Sequence, residues 1–389
     1  MSIQQRFTVA FDYPVLFTEH MLEPGNLTLA SALRRREPQR RHRVLCVVDE
    51  GVWNAWPDLP AQLEAYGRTH ERSLEWAATP LVVPGGEQAK QGSAVVDLVH
   101  TRMHALGIDR HAFTLIIGGG AVLDAVGYAA ATTHRGVRVI RVPTTVLAQN
   151  DAGIGVKNGI NAFGAKNFLG SFAPPWAVIN DARFLATLPS RDKRAGLAEA
   201  VKVALIRDAT FFQWLREHAG QLREFQHEAL VRSIRRGAEL HLQHIAQGGD
   251  PFELGSARPL DFGHWAAHKL EGLSSHRLRH GEAVAIGMAI DTRYSVEAGL
   301  LSPEDGALIL GVLIKLGFRL WDVALELCDA RGRPRVLAGL EEFREHLGGD
   351  LTVTLLGGVG KSVDVHQMDE RHVLAALSFL RNADLRSCA

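Results

Sequence analysis

Apolar residues follow two different rhythms along this chain, and the change of rhythm divides it. In the first half they come in short unbroken runs: RVLCVVDEGV (43–52), PLVVPGG (80–86), FTLIIGGG (113–120) and VRVIRVPTT (137–145). Such runs, bounded by turn residues, predict strands buried on both faces, as in a parallel sheet. Between them, QAKQGSAVVDLVHTRMHAL (88–106) and AVLDAVGYAAATTH (121–134) carry apolar or small residues at helical spacing. Alternating strands and helices predict an α/β domain over 1–183. From about residue 184 the pattern turns amphipathic and helical, through RDKRAGLAEAVKVALI, FFQWLREHAGQLREF, EALVRSIRRGAELHLQHIA, DFGHWAAHKLEGL and GEAVAIGMAIDTRYSVEAGL. The second domain, 184–389, is therefore expected to be mainly α, with a short strand pair at DLTVTLLGG (350–358) and a closing helix at MDERHVLAALSFLRN (368–382).

Composition narrows the function classes. Lys+Arg and Asp+Glu are equal at 43 each, so no global charge draws the chain to nucleic acid or to an anionic membrane. The basic run RRREPQRRHR (34–43) has no interleaved aromatics and reads as a solvated helix end and loop. No apolar run approaches the roughly 18 residues a membrane span needs. Cys46, Cys328 and Cys388 have no C-x-x-C spacing, which suits a reducing cytoplasm and no disulfide framework.

Three clusters carry candidate chemistry. Gly118, Gly119 and Gly120 stand between a strand and a helix, where backbone N–H groups can meet a diphosphate; the alternative is a tight turn without ligand. Asp49 closes an early strand, where a carboxylate can accept ribose hydroxyls, and PGGEQAK (84–90) adds a second glycine turn with Glu87 and Lys90. Together these suggest a dinucleotide. In the helical half, His264 and His268 are i,i+4, His280 begins a further helix, and Glu199 and Lys202 are i,i+3. Histidines with a carboxylate make a candidate divalent-metal site with an open position, against the plainer reading of unrelated histidines among 18. Between the two lies QNDAGIGVKNGINAFGAKNFLG (149–170), where Asp151, Lys157, Asn161, Lys166 and Asn167 sit among glycines. That density of cations and amides suits a phosphorylated polyol, or an ordinary hairpin-like loop with solvated lysines.

GGE, GGGAVLD, RVPTTVLAQNDAGIGVKNGIN, KNFLG, TLPSRD, GLAEAVK, FGH and HGEAVAIGM, in this order from about Asp49 to Lys361, resemble 3-dehydroquinate synthase and the related sugar phosphate cyclases. Within that superfamily the chain looks nearest to valiolone-type cyclases and to the dehydroquinate synthase homologues of ebo-type clusters. The resemblance implies a Rossmann-like N-terminal domain binding NAD and a helical C-terminal domain binding Zn2+ or Co2+. NAD contacts would fall on Asp49, Glu87, Lys90, Gly118, Gly119, Gly120, Asp124, Thr144, Thr145, Phe184, Thr187, Leu188 and Asp192. Metal ligands would be Glu199, His264 and His280. Substrate phosphate would meet Lys157, Asn167, His268, His346 and, from the second subunit of a homodimer, Arg135. Asp151, Lys166 and Lys202 match residues around the substrate hydroxyls and carbonyl.

The implied reaction oxidises a ring hydroxyl transiently, eliminates phosphate, restores the hydroxyl, and closes a carbocycle by intramolecular aldol addition. Dehydroquinate synthases clamp a substrate carboxylate with a Lys and an Arg; a gap-free count back from FGH puts Gln243 and Ala257 there, with Arg258 one residue off. Asp261 stands where the family has Asn. These departures favour a ketose phosphate without a carboxylate, such as sedoheptulose 7-phosphate, over 3-deoxy-arabino-heptulosonate 7-phosphate. The alternatives are a 3-dehydroquinate synthase, a metal-dependent polyol dehydrogenase of the glycerol type, and a non-catalytic scaffold. A cytoplasmic enzyme with no nucleic-acid or membrane partner is expected.

Overall fold

The computed structural model describes residues 2–247, 260–346 and 349–388. The apolar runs of the first half form one parallel sheet. Its strands are β1 (Val15–Thr18), β2 (His42–Asp49), β3 (Leu74–Trp76), β4 (Leu81–Val83), β5 (Phe113–Gly118) and β6 (Arg138–Pro143), followed, after a separate hairpin of β7 (Lys157–Ala162) and β8 (Ala165–Phe172), by β9 (Ala177–Asp181). The order across the sheet is β1-β9-β6-β5-β2-β3, with β4 also pairing β2. Both faces are covered. In β2, Val44, Cys46 and Val48 enter one core with Leu115 and Ile117, while Leu45 and Val47 enter the other with Ile116. Alternate side chains of a strand point to opposite faces, so an unbroken apolar run is what a doubly covered strand requires.

Two boundaries differ from the sequence expectation. The run 43–52 leaves the sheet at Asp49, whose carboxylate accepts from Gly51 N at 2.8 Å and caps the helix Glu50–Ala55. The helix expected over 88–106 begins only at Ala94, because Gly86–Lys90 is a 3-10 turn and Gly92 takes φ +67°.

The chain divides into two compact units, one holding the residues up to Ala148 with Ala152–Thr187, the other Gln149–Asp151 with the chain from Leu188 onward. The second unit is built on the helices Ser190–Arg207, His227–Gln247, His264–Leu273, His280–Glu297 and Glu370–Cys388. Its one strand pair among the described residues is antiparallel, Val353–Gly358 against Lys361–Val365. Glycines let the helices approach closely. A Cβ at Gly263 would lie 2.6 Å from Met288 N, and one at Gly287 would lie 2.0 Å from Gly263 O. No helix among the described residues is long and apolar enough to cross a membrane.

Candidate active site

In the first unit the glycine turn joins β5 to the helix Gly120–Thr132, with Gly119 at the N-cap position and no side-chain cap. A helix start of this kind favours an anionic acceptor, and the Gly119 N–H is directed at the Asp49 carboxylate. Thr144 N donates to Gly118 O at 3.0 Å, and Thr145 Oγ1 accepts from Ala148 N at 3.1 Å, so both threonines lie against the turn or its continuation. Asp49 sits beside it: a Cβ at Gly85 would lie 2.3 Å from Asp49 Oδ1, and one at Gly118 would lie 3.2 Å from Asp49 Cβ. Burial raises the Asp49 carboxyl above the usual range, and the N–H groups of Gly51, Gly119 and Val52 partly offset this. Phe184 is buried and Thr187 exposed in the same unit, whereas Leu188 and Asp192 belong to the helical unit, where Asp192 pairs with Arg279 at 3.2 Å.

The residues of 149–170 form a π-helical turn, Ala148–Ala152, followed by the β7–β8 hairpin. Buried Arg141 of β6 holds the base of that hairpin. It donates to the carbonyls of Gly155 at 2.8 Å and Lys157 at 3.0 Å, and to Asn158 Oδ1 at 2.7 Å. The hairpin also grips the 86–90 turn. Asn161 Nδ2 donates to Glu87 Oε1 at 2.7 Å, Asn167 N donates to Asn161 Oδ1 at 2.9 Å, and Lys90 Nζ donates to Asp124 Oδ2 at 2.7 Å and to Asn167 Oδ1. Glu87, Lys90, Asp124 and Asn167 are therefore one polar network, with the exposed Lys157 and Lys166 on the hairpin strands. Arg135 is exposed, at φ +64°.

In the helical unit the candidate ligand atoms of Glu199, His264 and His280 all lie within 4.8 Å of one another. Glu199 Oε1 is buried without a hydrogen-bond partner; His280 Nε2 is 3.6 Å and His264 Nε2 3.9 Å from it. An orphaned carboxylate oxygen facing two imidazole nitrogens beyond hydrogen-bond distance fits a metal set. The other ring nitrogens are turned outward. His264 Nδ1 is 3.2 Å from Phe262 O, and His280 Nδ1 is 3.5 Å from Glu271 Oε1, the arrangement that orients imidazole ligands.

Lys202 Nζ pairs with Glu199 Oε2, and both side chains are buried. Burial raises the Glu199 carboxyl, but Lys202 and His280 outweigh it and hold the group at about 2. Burial lowers the Lys202 ammonium, while Glu199, Asp151 and Asp261 raise it further, so it stays charged. His264 is pushed well below its usual value, first by burial and then by Lys202, which leaves the neutral imidazole a metal needs. His268 is exposed, its ring centroid 5.4 Å from that of His264 and 6.2 Å from that of His280.

His241 and Glu271 escaped the sequence reading. His241 Nδ1 lies 2.8 Å from Asp151 Oδ1. Gln243, chosen by the gap-free count, is exposed, two residues and so roughly 200° around the helix from His241. Of the two side chains, it is the His241 imidazole that meets Asp151. Glu271 follows His264 by two helical turns, a signal the sequence did carry. His346 ends the helix Ala338–His346; Ala257 and Arg258 lie outside the described residues.

Residues 80–195 match the family model of the 3-dehydroquinate synthase N-terminal domain, and residues 196–330 that of the C-terminal domain. The chain is 34% identical over 359 residues to a 2-epi-5-epi-valiolone synthase of Streptomyces glaucescens, covering 92% of this chain and 88% of that one. It is likewise 34% identical over 368 residues to a 3-dehydroquinate synthase of Rhodospirillum rubrum, covering 94% and 91%. Among solved structures, the 2-epi-5-epi-valiolone synthase of Streptomyces hygroscopicus subsp. jinggangensis, with NAD+ and Zn2+ bound, superposes with a TM-score of 0.86 at 32% identity, covering 98% of this chain and 100% of that one.

Proposed function

The chain belongs to the 3-dehydroquinate synthase family, and from that premise we propose that it is an NAD- and metal-dependent sugar phosphate cyclase converting a seven-carbon ketose phosphate to a cyclitol. The observation that carries this reading is the buried, unpartnered Glu199 Oε1 facing His264 and His280, beside a buried Lys202. Glu199, His264 and His280 would hold Zn2+ or Co2+, either of which suits a mixed nitrogen and oxygen donor set. When bound, the metal supplies Lewis-acid stabilisation of developing oxyanion charge, and NAD supplies a transient oxidation.

This chain's own groups bind and orient. The Gly118–Gly120 turn with Asp49, Thr144 and Thr145 takes the dinucleotide, and the Glu87, Lys90 and Asp124 network shapes its floor. Lys202 offers a fixed positive charge to a substrate oxygen, while Asp151, Lys166 and Asp261 hold hydroxyls. Lys157, Asn167, His268 and His346 are assigned to the phosphate, with Arg135 contributed by a second copy of this chain in a homodimer. The net change is loss of phosphate and closure of a carbocycle without change in redox state. Holding one substrate through every step is a proximity effect. A cytoplasmic setting suits the buried free thiol of Cys46.

Sedoheptulose 7-phosphate is the proposed substrate. Asp261 acts electrostatically on Lys202, and a further carboxylate brought beside it would be repelled. The second reading, a 3-dehydroquinate synthase acting on 3-deoxy-arabino-heptulosonate 7-phosphate, draws support from the 34% identity to a 3-dehydroquinate synthase over 94% of the chain. Steady-state kinetics on both compounds, with the product identified by NMR, separates them. A higher kcat/KM for the carboxylate substrate overturns the first reading.

A further inference from the structure

We propose that His241 is a positioning residue, which clamps Asp151 through its Nδ1–H so that the carboxylate presents its second oxygen to a substrate hydroxyl. This rests on the reading of Asp151 as a substrate-facing group.

Asp151 lies in the π-helical turn Ala148–Ala152, an irregular segment of a kind that recurs at functional sites. Its residues Gln149–Asp151 pack with the helical unit. The turn is held there at two points. Asn150 Nδ2 donates to Gly196 O at 2.9 Å, and a Cβ at Gly237 would lie 3.3 Å from Asn150 Cβ. One helical turn beyond Gly237, on the same face, His241 Nδ1 meets Asp151 Oδ1 at 2.8 Å. Gly237 thus makes room for the turn, and His241 grips its tip.

The side chains of His241 and Asp151 are 20% and 24% exposed, so the pair is accessible enough to meet a ligand and enclosed enough to be fixed. Burial and Glu199 oppose the Asp151 anion, but His241 and Lys202 outweigh them and hold the carboxyl below its usual range. A carboxylate at the tip of a turn has several rotamers of similar energy. A short hydrogen bond to one oxygen selects a single rotamer and leaves the other oxygen aimed. Acceptance by Asp151 also fixes the neutral imidazole as its Nδ1–H tautomer.

The test uses the NAD- and metal-loaded protein and the variants His241→Ala, His241→Asn and Asp151→Asn. Asn places an amide N–H near the position of Nδ1 without an ionisable ring. With sedoheptulose 7-phosphate, His241→Ala is expected to lose about 10- to 100-fold in kcat/KM, the worth of one charge-assisted hydrogen bond. NAD and metal content should be unchanged, and His241→Asn should recover most of the loss. Equal losses in the two variants would overturn the clamp. Independently of turnover, 15N NMR of the imidazole at a pH where it is neutral should find the proton on Nδ1 and a mixed tautomer in Asp151→Asn. A proton on Nε2 in the parent protein would overturn the clamp as well. If the parent protein releases no phosphate from any sugar phosphate, the cyclase reading fails, and the tautomer still decides the role of His241.

Discussion

Gly281 rests directly on Ala195: a Cβ added at 281 would lie 1.8 Å from the Ala195 carbonyl oxygen. Gly281 follows His280, and Ala195 precedes Glu199 by one helical turn. The contact therefore sets how closely two of the three candidate metal ligands approach. Gly281→Ala must push the helices apart, at a cost of about 1–3 kcal/mol or more for overpacking. The expected outcome is a lower Tm together with reduced metal content, read by thermal unfolding and elemental analysis. A variant that keeps both would show that the approach is set elsewhere.

Metal binding should release a proton. In the metal-free protein burial lowers the His280 imidazole, but Glu199 and Glu271 raise it more, to about 10. A ligand imidazole must be neutral. Below pH 10 the free site therefore carries a proton that the loaded site does not, and affinity rises with pH. Titration of the metal-free protein with Zn2+ near pH 8 in a weak buffer should release about one proton per metal, with apparent affinity rising about tenfold per pH unit. A pH-independent affinity would contradict the His280 assignment.

How much of this was legible in the sequence depended on length and on distance along the chain. The runs that became β2, β5 and β6 declared themselves because strands buried on both faces must be continuously apolar. β1 and β9 did not: VLFT and AVIND are short, and their pairing joins residues about 160 positions apart. The residue types around Glu199, His264 and His280 were visible as spacings, whereas their convergence depends on Gly281 against Ala195, which no local pattern encodes. His241 was invisible for a related reason. Its partner Asp151 lies 90 residues earlier, in a turn that packs with the helical unit although the chain on either side of it belongs to the other.

Asp291 should give the protein a pH-dependent stability of unusual sign. It accepts from Trp265 Nε1 at 2.8 Å and Gly263 N at 2.9 Å. Burial nevertheless raises it from 3.8 to about 7. Between roughly pH 4 and 7 the folded state keeps a proton that the unfolded state has lost, so this group's contribution is greatest at low pH and falls as pH rises. Asp291→Asn should remove that slope, whatever its constant cost. Parallel slopes of unfolding free energy against pH for the parent and the variant would refute the assignment.

Lys90 and Asp124 form a largely buried pair at 2.7 Å, and Lys90 also reaches Asn167. Lys90→Met strands the Asp124 carboxylate, for which a loss of about 3–5 kcal/mol is expected. Asp124→Asn in the same chain should return part of it. Urea unfolding of the single and double variants checks this, and strict additivity would mean that the pair is not coupled.

The most direct measurement is to incubate the purified, metal-loaded protein with sedoheptulose 7-phosphate while following inorganic phosphate and absorbance at the NADH band together. A sugar phosphate cyclase returns its hydride, so many equivalents of phosphate should appear per protein with no net NADH. His264→Ala should abolish both turnover and metal binding while leaving the fold intact. Steady accumulation of NADH from a polyol, with no phosphate released from any seven-carbon ketose phosphate, would contradict the account and make the protein a dehydrogenase.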